Sequence, residues 1–154
     1  MALAQVRLLV PKALEAMPAV LREEIDSAAT DSGLLVSGLA KRLAPHATGN
    51  LRRSISSHVK PIGGNVAAIV AAAAKYARPV EYGSKPHTPP LAAIARWANR
   101  RGLNPGAVWM TIRRQGTKPH PFMVPALEEK QASVIDIFTA GIRRAVERMS
   151  AGGS

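Results

Sequence analysis

Residues 54–72 read SISSHVKPIGGNVAAIVAA, two runs of alternating side chains on either side of a glycine pair. Alternation with a period of two is typical of a β-strand that buries one face. Gly63 and Gly64 favour a tight turn between the runs, because glycine adopts positive φ without steric cost. The sequence therefore predicts an antiparallel hairpin of strands 54–61 and 65–72, with one packed face and one face that is polar or meets a neighbour.

A long helix is predicted on each side of this hairpin. Apolar residues recur three, four or seven positions apart over 18–43 and again over 125–149, which is the spacing of one helix face. In both segments acids lie near the first turn and bases near the last, as the helix dipole favours. A shorter helix is predicted before residue 18, with Pro11 at its start or at a kink.

Two short helices are predicted between the hairpin and the last helix. Thr88 is expected to cap the first, which ends at Gly102, and Asn104 followed by proline opens the second, which ends at Gly116. Before them, KYARPVEYGS at 75–84 is predicted to be a short strand or turn. The segments GSKPH at 83–87 and GTKPH at 116–120 match at four of five positions and bracket the pair of helices, which indicates an insertion.

These elements together predict one α+β domain, a small antiparallel sheet packed by long N-terminal and C-terminal helices. Its parts are the N-terminal helix at 18–43, the hairpin and sheet at 45–84, the helical insertion at 85–116, an extended segment at 117–122 and the C-terminal helix at 125–149.

The positive charge is confined to the middle of the chain. Residues 37–120 hold 14 Lys and Arg and a single acid, Glu81, whereas the two ends are close to neutral and the whole chain carries a net charge of +11. A basic block on a neutral scaffold suits a polyanion or an acidic protein surface. Three arginine pairs in this block, at 52–53, 100–101 and 113–114, leave open whether the partner is nucleic acid or acidic protein subunits.

The sequence shows none of the residue spacings that are typical of catalytic or metal-binding sites. The chain has no cysteine, its serines follow a strand pattern rather than a nucleophile elbow, and it has no glycine-rich phosphate loop. The four histidines match no zinc spacing, and His87 and His120 are predicted to hydrogen-bond their own proline-rich segments. No apolar run is long enough to suggest a membrane span. We therefore predict a protein that is not an enzyme and that needs no cofactor, metal or membrane.

Three separated motifs resemble the head–tail joining family of tailed bacteriophages, the neck, tail-completion or minor tail-component proteins. The motifs are AP-x-x-TGNLRRSI at 44–55, YARPVEYGS at 76–84 and GTKPHPFMVPALEE at 116–129, in that order. A tail-completion family of contractile-tailed phages shares the TG-x-L-x-x-SI part, so the tail type stays open. The family-motif residues chosen as structural are Pro45, Thr48, Gly49, Leu51, Ser54, Ile55, Tyr76, Glu81, Gly83, Phe122 and Pro125.

The resemblance implies a virion protein that acts by assembly. It implies a ring of this chain, a hexamer or alternatively a dodecamer, between the head connector and the tail tube or tail terminator, with phage DNA passing through it after assembly in the host cytoplasm. Tyr76 and Tyr82 are expected beside the sheet, and Glu81 is expected to pair with an arginine of the same or a neighbouring subunit. The candidate contacts to channel DNA or partner proteins are Arg52, Arg53, Lys85, Arg100, Arg101, Arg113, Arg114 and Lys118. A small basic nucleic-acid-binding protein is the alternative.

Overall fold

The computed structural model describes residues 4–10, 18–45, 49–62 and 65–151. In chain order its elements are β1 Ala4–Val10, α1 Ala19–Leu43, α2 Asn50–Ser54, β2 Ile55–Ile62, β3 Asn65–Ala72, α3 Ala77–Tyr82, α4 Leu91–Asn99, α5 Pro105–Gln115 and α6 Met123–Ala151. The predicted α+β class is confirmed: a three-stranded antiparallel sheet is combined with a long helix near each end of the chain. No helix in the described ranges is long and apolar enough to cross a membrane.

The predicted hairpin forms the larger part of the sheet. Strands β2 and β3 pair antiparallel, with Ile55 opposite Ala72 and Ile62 opposite Asn65. A third strand, β1, pairs antiparallel with the other edge of β3, so the strand order is β1-β3-β2. The sequence did not predict this strand: residues 4–10 are extended rather than helical, and residues 11–17, where a helix starting at Pro11 would lie, are outside the described ranges.

The strand β1 contributes large apolar side chains to the core, which the central strand β3 largely lacks. Of the eight residues of β3, four are alanine, and small side chains bury little apolar area. Val6 and Leu8 lie opposite Val70 and Ala68 and pack against the main core. The alanine-rich strand is therefore completed by its neighbour in the sheet, and a central strand satisfies backbone hydrogen bonds on both edges.

Helices α1 and α6 lie side by side and close one face of the sheet. Their close approach depends on Gly141, where a Cβ atom would lie only 3.2 Å from the Glu24 carbonyl oxygen and 3.5 Å from the Ala28 Cβ. The main core lies between these helices and the sheet. Its fully buried members include Val36, Ala40, Ile55, Val70, Ala72, Phe122, Met123 and Ala126.

Ion pairs also join the two long helices. Arg144 Nε donates to Glu24 Oε2 at 2.9 Å, and Arg148 reaches both Glu24 (3.1 Å) and Glu23 (3.3 Å). The Arg144 hydrogen bond, assisted by Arg148, holds the pKa of Glu24 below its ordinary value. Acids near the start of α1 thus meet bases near the end of α6, which fixes the antiparallel alignment of the pair.

Three local predictions were wrong in detail. Residues 77–82 form the helix α3 instead of a strand or turn, because Pro79 fits the first turn of a helix, where its missing N–H costs nothing. Thr88 does not cap α4, which begins at Leu91 after Pro90 without a side-chain cap. The last helix begins at Met123, two residues before the predicted start at Pro125.

Candidate assembly surfaces

The two matching segments found in the sequence are bound to each other. Ser84 and Thr117 form an antiparallel β-bridge, in which each backbone N–H donates to the other residue's carbonyl oxygen at 3.1 Å. The Thr117 hydroxyl also donates to Ser84 Oγ at 3.0 Å. We call residues 83–87 and 116–120 the clasp. It joins the two ends of the α4–α5 insertion, so the helices leave and re-enter the body of the protein at one place.

The two halves of the clasp are related by a local pseudo-twofold arrangement. The His87 N–H donates to the Ile112 carbonyl in α5 at 3.5 Å, and the His120 N–H donates to the Val80 carbonyl in α3 at 2.7 Å. Each half therefore binds the helix that precedes the other half. Both imidazoles lie against their own segment, since His87 Nδ1 is 2.9 Å from the Lys85 carbonyl oxygen and His120 Nδ1 is 3.2 Å from that of Lys118, as predicted.

Two glycines make this bridge geometrically feasible. Gly83 has φ of +73° and Gly116 has φ of +76°, with ψ close to 180° in the first and −154° in the second, a region almost restricted to glycine. A Cβ atom on Gly116 would lie 1.8 Å from the Ser84 carbonyl oxygen, and one on Gly83 would lie 2.6 Å from the Thr117 carbonyl oxygen. The shared glycine of the two segments is thus required by the contact between them.

Substitution of Gly116 by alanine is expected to destabilise the protein by about 2–3 kcal/mol, because strained φ/ψ alone costs about 1–3 kcal/mol and the bridge must also shift. Gly102→Ala is the control: Gly102 also has positive φ (+66°) but nothing lies within 4 Å of an added Cβ, so its cost should be about 1 kcal/mol. Urea unfolding of both variants measures the difference, and equal losses would show that the clasp contact is not limiting.

Glu81, the single acid of the basic block, is buried inside the protein with 2% of its surface exposed. The expectation that it pairs with an arginine was wrong. Its carboxylate accepts three backbone N–H groups at the start of α6: Oε2 from Phe122 (2.8 Å) and Met123 (2.9 Å), and Oε1 from Val124 (2.9 Å). A carboxylate is favoured there because a helix N-terminus presents unpaired N–H groups and a partial positive charge.

The start of α6 has three N–H groups unpaired within the helix instead of four, because of a proline. The next residue is Pro125, which has no N–H to satisfy. Helix α6 has no acid in its own first turn, so the cap comes from Glu81, which precedes Phe122 by 41 positions. Sequence reasoning missed this role, although two signals were present: a lone acid in a basic block, and a long helix that starts at PFMVP without a capping side chain.

The other motif residues divide into buried and exposed positions. Leu51, Ile55 and Phe122 are buried in the main core. Gly49 has φ of +73° and precedes α2, and the Ser54 hydroxyl donates to the Leu51 carbonyl at 2.8 Å.

The two tyrosines are largely exposed, and two motif residues follow α1 in the sequence. Tyr76 and Tyr82, which were expected beside the sheet, are 44% and 58% exposed, so neither is a core residue. Pro45 is half-buried after α1, and Thr48 lies outside the described residues.

The insertion projects as a cationic arm. We call residues 91–115, helices α4 and α5 with their connection, the arm; the two helices pack on each other, and α5 buries none of its residues. The candidate contacts Arg100, Arg101, Arg113 and Arg114 are all exposed on it, Lys85 and Lys118 are exposed in the clasp, and Arg52 and Arg53 are exposed on α2 beside the sheet. The predicted contact residues therefore lie on three parts of the molecule: the arm, the clasp and α2.

The described surface offers little to a small ligand. A cavity of ≈ 90 Å³ lies between α1 and β2, lined by Thr30, Gly33, Leu34 and Ser57 among others, which is below the range of about 300–1,000 Å³ of ligand pockets. Among the described residues no group of three or more His, Asp or Glu side chains could hold a metal ion. The notable surfaces are those on the clasp, the arm and the long helices.

Comparison with known proteins assigns the first half of the chain. Residues 10–83 match the family model of the HK97-gp10-like proteins, described as "Bacteriophage HK97-gp10, putative tail-component". Comparison with the curated proteins and with the solved structures gave no match. The matched residues run from the end of β1 to Gly83. They include the first of the three motifs that suggested a head–tail joining protein, and the second motif as far as Gly83. The match covers just under half of the chain and supports a structural tail component of a tailed bacteriophage similar to the HK97-gp10-like proteins.

Proposed function

We propose that the chain forms a closed ring at the head–tail junction of the phage, as a neck or tail-completion protein. The observation that carries this proposal is the arm. Its second helix has no fully buried residue, yet the base of the arm is fixed by a clasp that requires two glycines of positive φ. A projection that is attached at both ends and adds little to the main core is what an assembly subunit needs for contacts with its neighbours.

A ring is the natural product of such a subunit. A contact between two different surfaces of the same chain repeats from copy to copy and closes when the rotation per copy fits a full turn. We propose a hexamer, with a dodecamer as the alternative, bound on one side to the head connector and on the other to the tail tube or terminator. The ring would be built in the host cytoplasm and remain in the virion, without catalytic activity.

The net charge of +11 supports a channel through which DNA passes. Arg52 and Arg53 are the candidates for the lumen, since they are exposed on α2 at the side of the sheet. Phosphate contacts made by such side chains are independent of base sequence and weaken with salt. They would therefore ease passage of any DNA sequence through the ring without holding it.

Electron microscopy of the purified chain, alone and mixed with connector or tail particles, tests the proposal. Annular particles, or an annular density added to one end of the tail, are the expected result. A chain that stays monomeric at high concentration and adds nothing to either particle would refute the ring. Tight, salt-sensitive DNA binding by that monomer would instead favour a nucleic-acid-binding protein.

A further inference from the structure

Positive charge is concentrated on the arm, and negative charge is concentrated on the long helices. Residues 82–127 contain no acid and seven Lys and Arg. Within the described ranges every acid except the buried Glu81 lies on α1 or α6. We propose that the arm of one copy docks on the outer face of α6 in the next copy, so that the ring closes through an arm-to-helix contact. This inference rests on the proposed ring and specifies its interface.

The outer face of α6 carries an apolar row that no element within the described ranges covers. Ile135, Ile142 and Val146 are 58%, 47% and 54% exposed. Their separations of seven and four residues place them on one side of the helix. This row differs from the inner row of Ala126, Val134, Gly141 and Ala145, which packs toward α1 and the core and is buried. An uncovered apolar row on a soluble helix is typical of a binding surface.

An acidic row runs beside the apolar row. Glu129, Asp136 and Glu147 are separated by seven and eleven residues, which again corresponds to one side of the helix. Arg143 is the base within this row. Among the described residues Asp136 and Glu147 have no ion-pair partner. The outer face of α6 therefore combines aliphatic side chains with unpaired negative charge.

The arm has the complementary composition. Leu91, Leu103 and Met110 are large apolar side chains exposed on it, and Arg100 and Arg114 are exposed beside them without an acid anywhere in the arm. The arm therefore presents apolar groups flanked by bases, and the outer face of α6 presents apolar groups flanked by acids, so the two surfaces are complementary. Such complementarity steers association and fixes the register of an interface.

A second copy fits the arm better than nucleic acid does. Both indoles already contact a guanidinium of the arm: Arg101, just after α4, lies 4.7 Å from the Trp97 ring centre, and Arg113 of α5 lies 5.4 Å from that of Trp109. The Trp109 Nε1–H donates to the Pro89 carbonyl at 2.8 Å. The indoles are thus engaged within the arm rather than presented for base stacking, and exposed aliphatic side chains have no counterpart on a phosphate backbone.

Paired charge reversals test the docking directly. Arg100→Glu with Arg114→Glu, and separately Asp136→Lys with Glu147→Lys, should each weaken self-association by at least about tenfold, because like charges then face each other. Mixing the two variants should restore association, since the reversed charges are again complementary at the mixed interface. Sedimentation velocity measures the assembly, and circular dichroism checks that each variant is folded. Lys60→Glu with Lys75→Glu, two exposed bases outside the arm, is the matched control and should leave association unchanged.

A cross-linking measurement covers the case of weak association in solution. The chain has no cysteine, so Met110→Cys and Ile142→Cys each introduce a single thiol, one on the arm and one on α6. A mixture of the two should form disulfide-linked pairs faster than either variant alone. Equal rates, or pairs formed equally well by a thiol at residue 60, would overturn the docking.

The outcomes separate this inference from the proposed ring. If annular particles persist with the reversed arm, the ring stands and the arm-to-helix interface is wrong. If the wild-type chain forms no annuli and the mixed Met110→Cys and Ile142→Cys variants do not cross-link, both fail. If the reversed arm assembles normally but loses salt-dependent binding of DNA, the arm is a nucleic-acid surface and the docking is wrong.

Discussion

Replacement of Glu81 by alanine should destabilise the folded chain by about 4 kcal/mol, because three N–H groups at the start of α6 lose their acceptor together. Each buried group left without a partner costs about 1–3 kcal/mol, and the interaction of the carboxylate with the helix dipole is lost as well. Denaturant unfolding followed by circular dichroism measures the change. The residue touches no proposed partner surface, so the effect should appear in the isolated chain.

Two further variants make this result specific. Glu81→Gln keeps the shape and one acceptor oxygen but turns an amide NH₂ toward the helix end, so about half of the loss should remain. Glu129→Ala removes an exposed acid whose ion pair within the described ranges is with Lys130 at 3.1 Å, and its effect should stay within about 0.5 kcal/mol. A wild-type melting curve for Glu81→Ala would mean that the carboxylate does not cap α6.

Phe122→Ala should destabilise the protein by about 3–5 kcal/mol, the range for a large aromatic removed from a packed core. The Phe122 ring is fully buried and is the largest of the fully buried side chains. It contacts the main core where α6 begins, so its loss would leave a cavity at the junction of the sheet and the last helix. Calorimetry or chemical unfolding gives the value, together with the slope that reports the exposed surface.

The matched control for this variant is Val124→Ala. Val124 lies two residues further along, in the first turn of α6, but is 38% exposed, so its truncation should cost about 1 kcal/mol or less. A Phe122→Ala loss no greater than that of Val124→Ala would contradict the core position of the ring. Since Phe122 and Glu81 share a hydrogen bond, the double variant should lose less than the sum of the two single losses.

Several elements could be predicted from local sequence because their determinants are local. The periodic apolar face of α1, the alternation in β2 and β3, and the Asn104–Pro105 start of α5 each depend on residues a few positions apart. In α5 the Asn104 side chain accepts from the Gly106 and Ala107 N–H groups at 2.8 and 3.2 Å, as its sequence predicted. The phage-family motifs were also visible, and the family match over residues 10–83 confirms that resemblance.

Other features could not be predicted because their causes lie in distant parts of the chain. The run AQVRLLV at 4–10 has no strict period, and it is a strand because β3 offers an open edge and an alanine-rich face that needs bulk. Similarly, YARPVEY contains residues common in strands, but α3 is held as a helix that directs Glu81 toward α6. In both cases a partner far along the chain selects one of two locally similar conformations.

The sequence by itself determined three features: the order of the long helices and the hairpin, the segregation of charge, and the glycines of the repeated segments. These features depend on periodicity, turn chemistry and charge, which act between residues close together in the chain. Only the tertiary structure decided which distant groups bind each other: Glu81 caps the start of α6, and residues 83–87 pair with residues 116–120. The reason is that hydrogen bonds and packing depend on distance in space, and no pattern within one segment specifies which remote N–H or carbonyl group will lie opposite.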